Sequence, residues 1–132
     1  MEYLLDTHSF LWATFEPRKL SKSARALIAQ PENRVVVSSI TFWEISLKSA
    51  LGKLKMVNCL PDELPGVASQ MGLELFHLEA DVAARFYRLP RQFHKDPFDR
   101  MIIWLAIQKQ FTLISRDKAF GVYSEHGLKT AW

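Results

Sequence analysis

The chain has 132 residues, 48% of them hydrophobic, so it is long enough to bury one apolar core and is expected to form a single domain over residues 1–132. Its one cysteine, Cys59, excludes an internal disulfide. The sequence shows no secretory signal and no apolar run of bilayer length, so we expect a soluble, cytoplasmic protein without a membrane segment. Seventeen Lys and Arg residues against 14 Asp and Glu residues make the chain mildly basic, which fits a polyanionic partner.

Strand and helix patterns alternate along the chain. An apolar strand over residues 3–5 is followed by a short helix at 8–14 and by a helical pattern that Ser21 caps and Pro31 ends. A β-branched run at 35–37 suits a strand buried on both faces of a parallel sheet. Further helices are predicted at 41–51, at 61–71 with an interruption at Pro65 and Gly66, at 80–89 and at 97–110, and further strands at 73–78, 112–115 and 128–131. This order predicts an α/β fold of three layers, α/β/α, around a central, mostly parallel sheet.

Four carboxylates fall where the strands of such a sheet end. Asp6 directly follows the first strand in LLDTH, and Asp117 follows the fourth in LISRD. Glu44, in TFWEIS, lies early in the helix after the second strand, and Asp99, in HKDPFDR, lies in the first turn of the last helix. Open α/β sheets bind ligands outside the carboxyl ends of their strands, so we expect these four acids to converge on one rim.

Each acid also has a purely structural interpretation. Asp6 could close its strand in an Asx-turn, Asp117 could cap a helix that starts at the next residue, and Asp99 could complement the helix dipole. Glu44 stands three residues after Thr41, which is the spacing of a capping box. None of these interpretations predicts four acids at one sheet edge. Such a cluster repels itself and raises its carboxyl pKa values, so it is best explained by a bound cation.

The ligand chemistry of this cluster narrows the choice of cation. Carboxylates without cysteine or a histidine pair favour Mg²⁺ or Mn²⁺ over Zn²⁺, and the two nearest histidines, His8 and His94, are interpreted as structural. Mg²⁺ keeps several waters and favours phosphate as a further ligand. The pattern therefore predicts cleavage of a phosphodiester, with one or two ions activating a water.

Four stretches, read together, resemble one known family. They are LLDTHSFLW at 4–12, VSSITFWEISLKSALGKL at 37–54, HKDPFDRMIIWLAI at 94–107 and TLISRDKAF at 112–120. In this order they resemble the PIN-domain family, and within it the VapC-type toxins of type II toxin–antitoxin pairs. The resemblance implies that Asp6, Glu44, Asp99 and Asp117 form the catalytic acidic quartet, and that Asp6, Asp99 and Asp117 bind the metal.

The resemblance also implies roles for three neighbouring residues. Asp96 falls on an extra acid of the family, with an outer or secondary position at the metal, although its place before Pro97 favours an N-cap. Thr7 and Ser115 are supporting hydroxyl residues at the site. The implied activity is that of a Mg²⁺- or Mn²⁺-dependent endoribonuclease that cuts structured RNA such as tRNA or rRNA, forms a homodimer and is inhibited by a cognate antitoxin.

Basic and aromatic side chains near the acids have two interpretations each. The cations are either RNA phosphate contacts or solubilising surface charges, and they are Lys95, Arg100, Arg116 and Lys118. The aromatic residues are either base-stacking platforms or, as their helical spacing favours, parts of a core or dimer interface, and they are Trp12, Phe42, Trp43 and Trp104.

Other classes of protein place an acid after a first strand. A receiver domain needs an adjacent acidic pair and a haloacid-dehalogenase phosphatase needs Asp-x-Asp, whereas Thr7 and His8 follow Asp6 here. A related nuclease that acts on DNA, or in RNA processing without an antitoxin, stays open as an alternative. A non-catalytic RNA-binding module also stays open, although the acidic quartet would then be an unexplained electrostatic cost.

Overall fold

In the computed structural model, which describes residues 1–91 and 94–132, five strands form one parallel sheet. The strands are β1 (Glu2–Leu5), β2 (Arg34–Ser38), β3 (Glu74–Phe76), β4 (Thr112–Ile114) and β5 (Lys129–Ala131). Their order across the sheet is β3-β2-β1-β4-β5. The chain builds β2 and β3 on one side of β1 and β4 and β5 on the other, so the boundary between β1 and β4 is the topological switch point.

Helices flank this sheet. Among the described residues the α-helices are α1 (Thr7–Phe15), α2 (Lys22–Ala29), α3 (Ser39–Ala50), α4 (Leu64–Gln70), α5 (Ala80–Ala84) and α6 (Pro97–Lys109). Short 3-10 segments lie at Pro17–Lys19, Pro61–Glu63 and Phe86–Arg88, and a longer one at Lys118–His126. Within this part of the chain no helix is both long and apolar enough to cross a membrane.

Alternating strand residues fill two apolar layers, one on each face of the sheet. Leu4 of β1 packs in one layer with Ile102 of α6, whereas its neighbour Leu5 packs in the other with Phe10 of α1 and Ala68 of α4. Successive side chains of a strand point to opposite faces, so helices must cover both faces to bury them. The predicted three-layer α/β/α fold is confirmed, and every strand pairing in the described residues is parallel.

Helix α3 begins two residues before its predicted start. Ser38, the last residue of β2, is the N-cap, and its Oγ accepts a hydrogen bond from the Ile40 N–H at 3.1 Å. Thr41 therefore lies inside the helix, and the capping-box interpretation of Glu44 is wrong. Strand β2 runs directly into α3 because one serine both ends the strand and caps the helix.

Two further helices have bounds other than those predicted. Helix α4 continues through Pro65 and Gly66, because a proline in the first turn lacks only an N–H that the helix does not use. The predicted interruption at these residues is wrong, and the change of helix type comes before Leu64. The helix predicted at 80–89 is instead α5 followed by a 3-10 turn, since Leu89 is held in an extended conformation ahead of Pro90.

Candidate active site

Asp6 stands at the switch point between β1 and β4. Its backbone N–H donates to the Ile114 carbonyl of β4 at 3.3 Å, and its Oδ1 accepts from the Ser9 N–H at 2.8 Å, which caps α1. The residue is only 5% exposed. Burial raises the pKa of Asp6 above its ordinary value, and hydrogen bonds from Ser115 and Ser9 act in the opposite direction. Asp6 is therefore both a helix cap and a buried carboxylate at the edge where such sheets bind ligands.

A cavity of about 340 Å³ opens beside Asp6. Asp117 reaches this cavity from the loop after β4, and its Oδ1 also accepts from the Ala119 N–H at 2.9 Å, so the predicted cap at the start of the segment Lys118–His126 is confirmed. The lining residues are Asp6, His8, Trp12, Arg116, Asp117 and Lys118. The first and fourth predicted strand ends thus meet at one cavity.

Asp99 approaches the same place from the N-terminus of α6. Asp96 caps this helix by accepting from the N–H groups of Phe98 and Asp99 at 2.8 and 3.0 Å, as its position before proline predicts. The Oδ2 atom of Asp99 lies 2.8 Å from Nε2 of His94. One ligand atom each from His94, Asp99 and Asp117 lies within 4.8 Å of the others. Asp99 therefore lies close to Asp117, which in turn lines one cavity with Asp6.

The charge environment of Asp99 is unfavourable to its ionised form. Burial raises the pKa of Asp99 to about 6, and the negative charges of Asp96 and Glu44 act in the same direction, while the hydrogen bond and charge of His94 oppose them. A cation bound beside Asp99 would therefore favour its ionised form.

Glu44 is held in place by a chain of two hydroxyl groups. It is 2% exposed, and the Thr7 hydroxyl donates to its Oε1 at 2.6 Å. The Thr41 hydroxyl lies 3.2 Å from that of Thr7 and must donate to it, because the single proton of Thr7 is already used. Thr7 thus contacts the predicted acid directly, and Ser115 contacts Asp6, so both supporting hydroxyls lie against the acidic cluster.

Lys48 is a neighbour of the acids that the sequence analysis did not select. Its ammonium group is hydrogen-bonded to Glu44 and lies over the Phe98 ring at 5.9 Å. Burial disfavours the ammonium, but the hydrogen bond and charge of Glu44, with the charges of Asp96 and Asp99, raise the pKa of Lys48. The i, i+4 spacing from Glu44 could have indicated this pair, whereas the nearness of the other acids depends on the packing of α3 against α6.

The four predicted phosphate contacts fall into two groups. Arg116 and Lys118 line the cavity, and Lys95 is exposed beside α6. Arg100 differs, because its guanidinium donates to the Leu89 carbonyl at 3.2 Å and lies 4.9 Å from the centre of the Phe86 ring. The cationic group of Arg100 is thus used to hold the 3-10 turn after α5 against α6.

The predicted aromatic residues also lie in different environments. Trp104 is buried, and its Nε1 donates to the Val82 carbonyl at 2.8 Å, so it belongs to the core. Phe42 packs edge-on against Phe10 in the layer of α1. Trp43 is exposed on α3, and Trp12 lines the cavity, where the Arg116 guanidinium lies 5.9 Å from its ring. Trp12 is therefore the aromatic residue best placed to meet a ligand of the acids.

Comparison with known proteins gives consistent matches over nearly the whole chain. The PIN domain family model matches residues 3–125. Ribonuclease VapC22 of Mycobacterium tuberculosis (strain ATCC 25618 / H37Rv) is 26% identical over 129 residues, which are 98% of this chain and 97% of that protein.

Two solved structures share the fold. The structure of VapBC2 from Rickettsia felis bound to a DNA fragment from their promoter superposes with a TM-score of 0.69 at 20% identity, covering 100% of this chain and 99% of that one. The structure of VapBC-5, a member of the VapBC family of toxin-antitoxin systems from Mycobacterium tuberculosis, gives a TM-score of 0.58 at 16% identity, covering 98% and 95% of the two chains. At these identities the likeness establishes the fold alone.

The fold and the site together define an α/β protein with a cluster of carboxylates at the topological switch point of a parallel sheet. With the family match over residues 3–125, the chain belongs to the PIN domain family. The resemblance drawn from its four motifs is confirmed.

Proposed function

We propose that residues 1–132 form a single PIN domain that acts as a metal-dependent endoribonuclease, the toxin of a type II toxin–antitoxin pair. The observation that carries this proposal is the convergence of acids from four separate elements, with the pKa of both Asp6 and Asp99 raised. A relative named as a ribonuclease, similar over 98% of the chain, supports cleavage of RNA. Structured RNA such as tRNA or rRNA is the proposed substrate.

The acids fit a hard divalent cation, Mg²⁺ or Mn²⁺. Asp6, Asp99 and Asp117 would hold it, because Asp6 and Asp117 line one cavity and ligand atoms of Asp99 and Asp117 lie within 4.8 Å of each other. Asp96, whose Oδ1 is used as the α6 cap, would act from an outer position. One or two such ions supply activation of water and neutralisation of charge on the phosphoryl group.

The residues of the chain itself would bind and orient the RNA. Arg116, Lys118 and Lys95 are proposed to hold phosphates beside the acids, since two of them line the cavity and the third is exposed near the start of α6. Trp12 offers a ring face at the cavity on which a base could stack. Glu44, fixed by Thr7 and paired with Lys48, would complete the catalytic quartet as a buried carboxylate close enough to Asp99 to influence its charge.

The proposed partners and location follow from the same class of protein. One structural neighbour belongs to the VapBC family of toxin-antitoxin systems, which supports a cognate antitoxin as the partner of this chain. We also propose a homodimer in the cytoplasm, where a chain with the single thiol of Cys59 needs no oxidising environment.

The test is cleavage of folded tRNA and rRNA fragments by the purified protein, with DNA of the same sequence as a second substrate. We expect cleavage of RNA with Mg²⁺ or Mn²⁺, none in EDTA, recovery after metal is restored, and none with Asp6→Asn. Cleavage in EDTA at the full rate would contradict the metal mechanism. Cleavage of DNA in preference to RNA would instead assign the same acids to a DNA nuclease.

A further inference from the structure

His94, which the sequence favours as a structural residue, lies directly among the acids. Its Nε2 is 2.8 Å from Oδ2 of Asp99, and its closest ligand atom lies within 4.8 Å of those of Asp99 and Asp117. Two ligands on opposite sides of an ion with bonds of about 2.1 Å are about 4.2 Å apart. Movements of a few tenths of an ångström would therefore let all three residues bind one ion.

The ring of His94 is held in this position by packing. It meets the Phe120 ring edge-on, with centroids 5.0 Å apart and an interplanar angle of 83°. Phe120 is 1% exposed and belongs to the segment that Asp117 caps, so the imidazole and Asp117 are fixed by the same piece of chain. The His94 side chain itself is 15% exposed. A side chain restrained in this way is oriented toward the acids before any ligand arrives.

We propose that His94 is a nitrogen ligand of the metal ion and makes the site selective for Mn²⁺ over Mg²⁺. This inference rests on the proposed metal-dependent function. Mg²⁺ strongly prefers oxygen ligands, whereas imidazole suits first-row transition metals, so one nitrogen among carboxylates shifts the preference toward Mn²⁺. A neutral imidazole also adds a ligand without adding charge, beside an Asp99 that Asp96 and Glu44 already repel.

A purely positioning role is the competing explanation. In that case the His94 ring would donate a hydrogen bond to Asp99 and fix its orientation without touching the ion, as partners of metal-binding carboxylates commonly do. The two roles differ in what they predict. Loss of an orienting residue weakens the binding of every ion alike, whereas loss of a nitrogen ligand weakens Mn²⁺ more than Mg²⁺ and removes nitrogen from the coordination shell.

The experiment uses the full chain, Mn²⁺ and electron paramagnetic resonance. Titration against the free Mn²⁺ signal gives the affinity, competition gives that of Mg²⁺, and pulsed spectra of the bound ion report ¹⁴N coupling from a bound imidazole. The variant His94→Gln keeps an N–H that can donate to Asp99 but has no imidazole nitrogen. His8→Gln is the matched control, because His8 is the histidine that lines the cavity.

We expect ¹⁴N coupling in the wild type and in His8→Gln and none in His94→Gln, with Mn²⁺ affinity reduced about 10-fold or more and Mg²⁺ affinity reduced much less. The inference is overturned if wild-type protein binds Mn²⁺ without ¹⁴N coupling, if the coupling survives in His94→Gln, or if this variant loses both ions equally. Circular dichroism confirms that each variant is folded. If the wild type binds neither ion, the proposed metal-dependent function fails together with this inference, whereas the other outcomes leave that function intact.

Discussion

The raised pKa of Asp99 predicts that the metal-free protein loses stability as the pH rises. The folded state holds the Asp99 proton more tightly than the unfolded chain, because burial and the charges of Asp96 and Glu44 disfavour the carboxylate. The favourable contribution is therefore present at low pH and is lost as the pH rises from about 4 through the folded pKa of about 6. A rise from 3.8 to about 6 corresponds to about 3 kcal/mol in the free energy of unfolding, of which roughly 2 kcal/mol is lost between about pH 4.5 and about pH 7.5.

Urea denaturation in EDTA at these two pH values measures the effect. The side chain introduced in Asp99→Asn cannot ionise, so this variant should not show the loss. The difference in the free energy of unfolding, variant minus wild type, should therefore grow by roughly 2 kcal/mol from the lower pH to the higher. Asp81→Asn, which changes an exposed acid of α5, is the control and should follow the wild type. Addition of Mn²⁺ at about pH 7.5 should stabilise the wild type and not Asp99→Asn. The same change of stability with pH in wild type and Asp99→Asn would contradict a raised pKa of Asp99 in the folded state.

Three further substitutions test the acids and the cavity. Asp6→Asn should keep the α1 cap and fold, but lower the RNA cleavage rate more than about 100-fold. A variant that cleaves RNA at the wild-type rate would show that Asp6 serves only as a helix cap. Asp96→Ala should lower the free energy of unfolding by about 0.5–2 kcal/mol in denaturant titrations, whereas Asp96→Asn should not. An equal loss of stability in the two variants would contradict the capping role of Asp96. Trp12→Leu should raise KM for RNA about 5-fold or more with a smaller change in kcat, because stacking contributes about 1–3 kcal/mol per base. The control Tyr87→Leu, at an exposed aromatic residue, should change neither KM nor kcat.

The positions of the acids could be predicted because they depend on chain order. Asp6 and Asp117 each follow a strand, and in a parallel sheet all strands end at the same edge, so no side-chain detail was needed. The start of α3 could not be placed as well. Ser38 and Thr41 are both capable N-caps three residues apart, and only the pairing of β2 decides that Ser38 ends the strand and caps the helix.

Residues whose surroundings depend on packing between elements were the hardest to place from the sequence. Arg100 is next to Asp99 in sequence, but successive residues of a helix point about 100° apart, so its guanidinium meets the Leu89 carbonyl and the Phe86 ring. Lys48 is far from Asp99 in sequence, and their charges interact because α3 packs on α6. His94 precedes α6, and its position against Asp99 depends on the packing of its ring on Phe120. Periodicity in one segment carries no information about such contacts.

The structural and electrostatic interpretations of Asp6 and Asp117 are compatible, because a capping carboxylate can also line the cavity. Asp6 and Asp117 each use Oδ1 to cap the helical segment that follows, which fixes the orientation of the carboxylate. A cap therefore supplies the preorganisation that a metal ligand needs, because it sets the orientation of the group before an ion binds. The same arrangement makes fold and function separable at these positions. Asparagine retains the oxygen that caps and removes the charge, whereas alanine removes both, so an Asn variant isolates the electrostatic role and the difference between the two variants measures the cap.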